Sequence, residues 1–186
     1  SQSEGLILFD ADWMNIEAAQ KWAAINSEKS TEIAGICSNF SGAWDILHLR
    51  LHPRQYINWL DKAIDLSRKT KNKEFEHTHL GNLGIVYIDM GDLHQAIEHY
   101  NQALKISREI CDRRAEGKLL GNLGVAYHIL GESQKAIECW KRALNISREI
   151  GDRKIEGGTV GNLGNAYFSL NQPFKAIKFY NHALEI

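Results

Sequence analysis

Proline is nearly missing: only Pro53 and Pro173 occur in 186 residues. So few breakers over this length favour a mostly helical chain. Cysteine is scarce too. Cys37, Cys111 and Cys139 form an odd, scattered set without a C-x-x-C pair, which fits reduced thiols in a cytoplasmic protein. No apolar run approaches the roughly 18 residues a transmembrane helix needs, so no membrane partner is expected. GLILF at 5–9 is too short, and lacks the basic flanks, to be a signal peptide. Neither sign of charge dominates: the formal net charge is −1, which argues against duplex nucleic acid as a partner. With 44% apolar and 24% charged residues, the composition is that of a folding chain and not a disordered one.

Self-similarity dominates what is present. LGNLGIVY at 80–87 returns as LGNLGVAY at 120–127 and as VGNLGNAY at 160–167. Asn82, Asn122 and Asn162 lie 40 residues apart, as do Tyr87, Tyr127 and Tyr167, and Ala96, Ala136 and Ala176. Ala63, Ala103, Ala143 and Ala183 extend the register one period upstream. A fixed period in this range predicts a solenoid of stacked helix pairs. In the first clear unit the spacing predicts a helix from near His77 to Met90, a turn at Gly91-Asp92, and a second helix from about Leu93 to Ile110. Ala96, Ile97, Tyr100, Ala103, Leu104, Ser107 and Ile110 share one face of that helix. Asp112 and Asp152 are placed to N-cap the helices that follow, and Gly151 suits a C′ position.

The pattern L-x-x-L-G-x-x-Y, followed by A-x-x-x-aromatic, resembles the tetratricopeptide repeat (TPR). Leu80, Leu83, Gly84, Tyr87, Ala96 and Tyr100 carry the first copy. Leu120, Leu123, Gly124, Tyr127, Ala136 and Trp140 carry the second. Val160, Leu163, Gly164, Tyr167, Ala176 and Tyr180 carry the third. The resemblance implies an all-α fold, a right-handed TPR superhelix of antiparallel helix pairs. Two departures stand out. Arg108 and Arg148 replace the usual late proline, and the period is 40 where about 34 is usual, so helices or turns must be longer.

The expected organisation is an N-terminal helical segment at 1–29, a degenerate TPR-like pair at 30–72, and an array at 73–186 with repeats at about 77–116, 117–156 and 157–186, the last truncated. In the degenerate pair Trp44 replaces the glycine, Leu47 the tyrosine and Tyr56 the alanine. INWLDKAIDLSRKT (57–70) still matches IEHYNQALKISREI (97–110). WMNIEAAQKWAA (13–24) reads as a helix with Ile16, Ala19 and Ala23 on one face and Trp22 nearby.

Six glycines inside helices cost on the order of 6 kcal/mol in propensity, against a net domain stability of about 5–15 kcal/mol. Gly84, Gly124 and Gly164 are expected to face the alanines of the partner helix and let the two axes approach closely. Gly81, Gly121 and Gly161 have two readings: tight packing against the neighbouring repeat, or a groove floor kept free of side chains. The asparagines bear on this choice. Stacked first helices lie roughly 10 Å apart and an extended peptide advances about 3.3 Å per residue, so Asn82, Asn122 and Asn162 would meet every third residue of a bound strand. Asn165 adds a fourth amide. An amide donates to a peptide C=O and accepts from its N–H. In TPR families with this motif the asparagine holds peptide backbone, which the resemblance implies here. The alternative is an inter-repeat staple. Ile85, Val125, His128 and Phe168 are expected to shape pockets along the groove.

Long TPR units of this kind, with EICDRRAEG (109–117) and EIGDRKIEG (149–157), are similar to those of Pins/LGN adaptors, kinesin light chain and the sensor region of STAND-type signalling NTPases. The helix from Asp12 to Ala23 looks like the one preceding the first repeats in STAND proteins. The favoured reading is therefore a STAND sensor that binds a protein or peptide in its concave groove, with an adaptor as the alternative. The chain stops within a second helix at Ile186, so a longer parent is expected. No G-x-x-x-x-G-K-[ST] occurs, so any NTPase domain lies outside it.

Other chemistry is poorly supported. His48 and His52 are spaced i, i+4 but lack a further ligand, so no metal or cofactor is expected. His77 and His79 flank a helix start and are expected to be solvated. Neither Cys111 nor Cys139 has a local histidine partner, so no enzyme is read here. Trp13, Trp22, Trp59 and Trp140 read as core, with Trp44 a possible plug or stacking platform. Residues 1–49 carry seven acidic and two basic residues, and residues 50–73 carry seven basic and two acidic. A solvated face accounts for this contrast, or a docking patch for an acidic partner or for the NTPase core.

Overall fold

The computed structural model describes residues 15–16, 18–20, 22–23 and 52–186. From Pro53 onward helix follows helix: α1 (Pro53–Lys69), α2 (Lys73–Asp89), α3 (Leu93–Glu109), α4 (Arg113–Ile129), α5 (Ser133–Ile150), α6 (Arg153–Ser169) and α7 (Pro173–Glu185). The described residues include no strand, so the fold is all-α.

The turns explain the long period. In each one a single residue is left-handed: Lys71, Gly91, Cys111, Gly131, Gly151 and Asn171, every twentieth position. Two hydrogen bonds close each turn onto the ending helix. The Gly91 N–H donates to the Ile88 carbonyl, and the Asp92 N–H to the Tyr87 carbonyl, both at 2.9 Å. This is the Schellman arrangement. The next residue then starts the following helix: Asp92, Asp112 and Asp152 accept from the N–H groups of Gln95, Ala115 and Ile155 at 3.2, 2.8 and 3.0 Å. One residue thus ends one helix and caps the next. The turn has no slack, so the additional residues lie in the helices.

Several boundaries differ from expectation. α2 begins at Lys73, four residues ahead of His77. His77 and His79 therefore sit well inside a helix and are buried, not solvated. α3 ends at Glu109, and Ile110, its C-cap, is exposed rather than on the buried face.

The chain divides into two compact units, Ser1–Val86 and Tyr87–Ile186. In the first, α1 buries Tyr56, Trp59, Leu60, Ala63 and Ile64. Arg68 donates from Nε to Glu76 at 2.9 Å, and Lys73 adds a second bond at 3.1 Å. The described residues between 15 and 23 are helical, with Gln20 and Ala23 buried. Ala19 and Trp22 are exposed, contrary to expectation, because the inward stripe runs through half-buried Ile16 and buried Gln20 and Ala23 at i, i+4, i+7. Trp13, Cys37, Trp44, Leu47 and His48 lie outside the described residues.

In the second unit, Ala136, Ile137, Trp140 and Leu144 of α5 pack with Val160, Leu163 and Ala166 of α6. Gly124 and Gly164 do admit close approach, but of aromatic rings and not of alanines. A Cβ on Gly124 would fall among the indole atoms of Trp140, and one on Gly164 would lie 2.5 Å from Tyr180 Cε1. Trp140 Nε1 donates to the Gly121 carbonyl at 2.9 Å, which seats the ring on the α4 backbone.

The arginines that replace the late proline join successive repeats. Arg108 Nε donates to Glu116, and Arg148 Nε to Glu156, each at 2.8 Å. Burial alone would raise the Glu116 carboxyl. Hydrogen bonds from Arg108 and Arg113 more than reverse this and hold it below the usual carboxylate range.

Candidate functional site: a cleft between first helices

α4 and α6 are the first helices of successive repeats, and together they line a cleft of ≈ 330 Å³. Arg114, Lys118, Asn122 and Val125 form the α4 wall. Lys154, Gly158, Thr159 and Asn162 form the α6 wall, with the cap Asp152 at its edge. Spacings of three and four residues align Arg114, Lys118, Asn122 and Val125 along one face of α4 and Lys154, Gly158 and Asn162 along one face of α6, with Thr159 beside Gly158. With a rise of about 1.5 Å per residue, Lys118 stands about 6 Å before Asn122 along α4.

Gly121 lines this cleft, and a Cβ built on it would meet nothing within 4 Å. The same holds for Gly158 and Gly161. Neighbouring packing therefore does not require glycine at these positions, whereas Trp140 requires it at 124. Asn122 and Asn162 are half-buried, and neither side chain makes a hydrogen bond among the described residues. No inter-repeat hydrogen bond from either amide occurs among the described residues.

The charges are unevenly matched. Arg114 Nε donates to Asp152 Oδ2 at 2.9 Å. The Ile155 N–H, assisted by Arg114, holds the Asp152 carboxyl below its usual range. Asp152 is thereby engaged by its cap and by Arg114. Lys118 and Lys154 form no ion pair among the described residues. Thr159 is only 3% exposed, yet its hydroxyl makes no hydrogen bond among the described residues.

Other residues expected in the groove are placed elsewhere. Val125 does line the cleft, while also packing on the α5–α6 core. His128 turns toward α5, its ring centroid 5.7 Å from that of Trp140. Asn165 accepts through Oδ1 from the Tyr180 hydroxyl at 2.8 Å. Phe168 is exposed, and Gly161, Asn165 and Phe168 are not among the cleft's lining residues. Gly81, Asn82 and Ile85 belong to the first unit, where Gly81 is buried and the other two are half-buried on α2. Lys118, Lys154, Gly158 and Thr159 escaped the sequence reading. The available signal was the helical period, carried back one turn from each asparagine and a second turn to Lys154.

Neither described cysteine, Cys111 or Cys139, lines the cleft. Burial pushes the Cys139 thiol up, and Cys111 is exposed in the α3–α4 turn. No described helix is long and apolar enough to cross a membrane.

No curated protein matches the chain in sequence. Solved structures of similar fold include BtubC (BKLC) from P. vanneervenii, with a TM-score of 0.80 and 19% identity, covering 95% of this chain and 73% of that one. A STAND protein with a tetratricopeptide repeat sensor from Pyrococcus horikoshii gives a TM-score of 0.70 at 19% identity, over 92% of this chain and 30% of its own. A putative kinesin light chain protein with nearly identical TPR-like repeats from Podospora anserina gives 0.71 at 16% identity, over 100% of this chain and 92% of its own. At these identities the likeness is one of fold. The family model for the tetratricopeptide repeat matches residues 57–109 and 115–186, taking in the Arg–Glu junctions as well as the glycine motifs. That match spans more than half of the sequence, and the chain belongs to the tetratricopeptide repeat family.

Proposed function

We propose that this chain is a non-catalytic recognition module of a cytoplasmic protein, and that it binds an extended segment of a protein partner in the cleft between α4 and α6. The observation that carries this reading is the pair of unengaged amides, Asn122 and Asn162, beside the open backbone at Gly121 and Gly158. A strand lying there brings its own N–H and C=O groups, which the amides satisfy on both counts. Reading backbone in this way tolerates many sequences, so side-chain selection must come from other parts of the cleft.

Two parent settings follow. In a STAND protein, a ligand favouring one arrangement of the sensor would shift the NTPase from a closed to an assembly-competent state. In an adaptor of the kinesin light chain type, the same cleft would hold a binding partner. Likeness to solved structures of both kinds supports both settings. Replacing Asn122 and Asn162 together by alanine is expected to weaken a selected peptide by about 2 kcal/mol while the helical circular dichroism is unchanged. Equal affinity in the folded double variant would remove the asparagines from the ligand site. A ligand-dependent ATPase rate in the intact parent separates sensor from adaptor.

A further inference from the structure

We infer that the exposed face of α7 pairs with the same face of a second copy of this chain, the two helices lying antiparallel about a two-fold axis near Phe179. No residue of that face lines the cleft, so this surface is separate from the one described above.

Phe174, Ile177, Asn181 and Leu184 recur at i, i+3, i+7 and i+10, which places them in one stripe along α7. The three apolar members are exposed, Phe174 by 85%, Ile177 by 54% and Leu184 by 86%. Ile137 and Leu144, 40 residues earlier on α5, are only 2% and 8% exposed, because they pack with Val160 and Leu163 of α6. A helix stacked on α7 as α6 stacks on α5 would cover Ile177 and Leu184 in the same way. It would not cover Phe174. The residues in that register, His94 and Gln134, are polar and stay exposed on α3 and α5, although a further helix packs on each. Asn165 adds a second departure. Its counterpart Val125 packs on the α5–α6 core, whereas the Asn165 amide is turned to the Tyr180 hydroxyl of its own repeat. The occupant of this face must therefore reach further toward the start of α7 than another repeat does.

The stripe itself supplies that occupant. Positions 174 and 184 lie equally far from Phe179, and so do positions 177 and 181. A two-fold axis there sets Phe174 against Leu184 of the second copy, and Ile177 against its Asn181, so the surface meets itself. Lys178 and Glu185 share one flank of the stripe, and neither forms an ion pair among the described residues. The same axis brings Lys178 of one copy to about 7.5 Å from Glu185 of the other along the helix, within reach of a lysine side chain. The three apolar residues leave about 400 Å² in water, as large as the biggest apolar patch on most monomers. Two such faces and their flanks together bury about 1,200 Å², the low end for a specific interface, so the dimer is a micromolar one.

The test is sedimentation velocity of chain 1–186 from low micromolar to high micromolar concentration. The native chain is expected to pass from monomer to dimer over that range. Phe174→Lys and Leu184→Glu should each stay monomeric, with unchanged circular dichroism because both positions are exposed. An equimolar mixture of these two variants should dimerise again. Antiparallel pairing sets the introduced ammonium against the introduced carboxylate in one layer and leaves Phe174 against Leu184 in the other. Phe174→Gln, which carries the residue type of position 134, is the milder variant and should raise the dimer dissociation constant about tenfold. A native chain that stays monomeric throughout overturns the inference. So do single variants that dimerise like the native chain, and a mixture that remains monomeric. A series of larger species growing with concentration overturns it too, because a two-fold contact closes on itself.

Discussion

Gly121 and Gly124 occur one helical turn apart in the same motif, yet they are glycine for different reasons. Gly124 lies under the Trp140 indole, where a methyl group has no room. Gly124→Ala is expected to destabilise the protein by about 2 kcal/mol, through displacement of the ring. Gly121→Ala meets open space, so the helix should gain about 1 kcal/mol in urea denaturation, while the new methyl group obstructs the cleft. A stabilised Gly121→Ala variant that binds peptide as tightly as the native chain would show that the cleft floor does not meet the ligand. The sequence marked both glycines as anomalies. It assigned Gly124 to close approach of the partner helix and left Gly121 with two readings, because the choice between those depends on what lies across from the residue. It did not show that Gly124 and Gly164 meet aromatic rings. The alanines share that helix face, but the larger side chains reach the glycine first.

At the level of the element, the turn and the inter-repeat ion pair set the architecture. Cys111 adopts φ 58° where Gly91, Gly131 and Gly151 serve the same turn. Left-handed backbone costs a residue with a Cβ roughly 1–2 kcal/mol, part of which glycine loses again through the entropy of the unfolded chain. Cys111→Gly is therefore expected to raise stability by about 0.5 kcal/mol, read by chemical denaturation. The ion pairs carry a pH signature. Because the Glu116 carboxyl is lower in the folded chain, its contribution is present above the ordinary value of 4.5 and is lost as pH falls through the lowered one. Glu116→Gln should cost about 1–2 kcal/mol at neutral pH and progressively less in acid. A gap between native and variant that does not change with pH would rule out the carboxylate as its origin. Asp112, Asp152 and Gly151 were legible as caps from the sequence, because capping is settled within a few residues. Arg108 and Arg148 looked like departures from a motif. Their partners eight residues on are reached only when the chain reverses at the turn.

Across the whole molecule, the repeats serve as one another's controls. His79 corresponds to Leu119 and Thr159 in the register. Burial, with His77 nearby, lowers its imidazole to about 4 from an ordinary 6.5. As pH falls the unfolded chain takes up this proton first, so the stability His79 allows is full above 6.5 and declines toward about 4. Between those values hydrogen exchange should quicken in α1 and the start of α2, relative to α5 and α6. His79→Leu should remove the difference, and equal acceleration throughout would contradict it. By itself the sequence determined the all-α class, the helix pairs, the caps and the family. These follow from side-chain periodicity and from hydrogen bonds that close within one or two turns of backbone, repeated in register. Only the tertiary structure decided that Trp140 covers Gly124, that His77 and His79 are buried, and that Lys118 and Lys154, 36 residues apart, share one cleft. Each of those outcomes depends on which flank of a helix a neighbouring helix covers, and a 3.6-residue period leaves that choice to the packing.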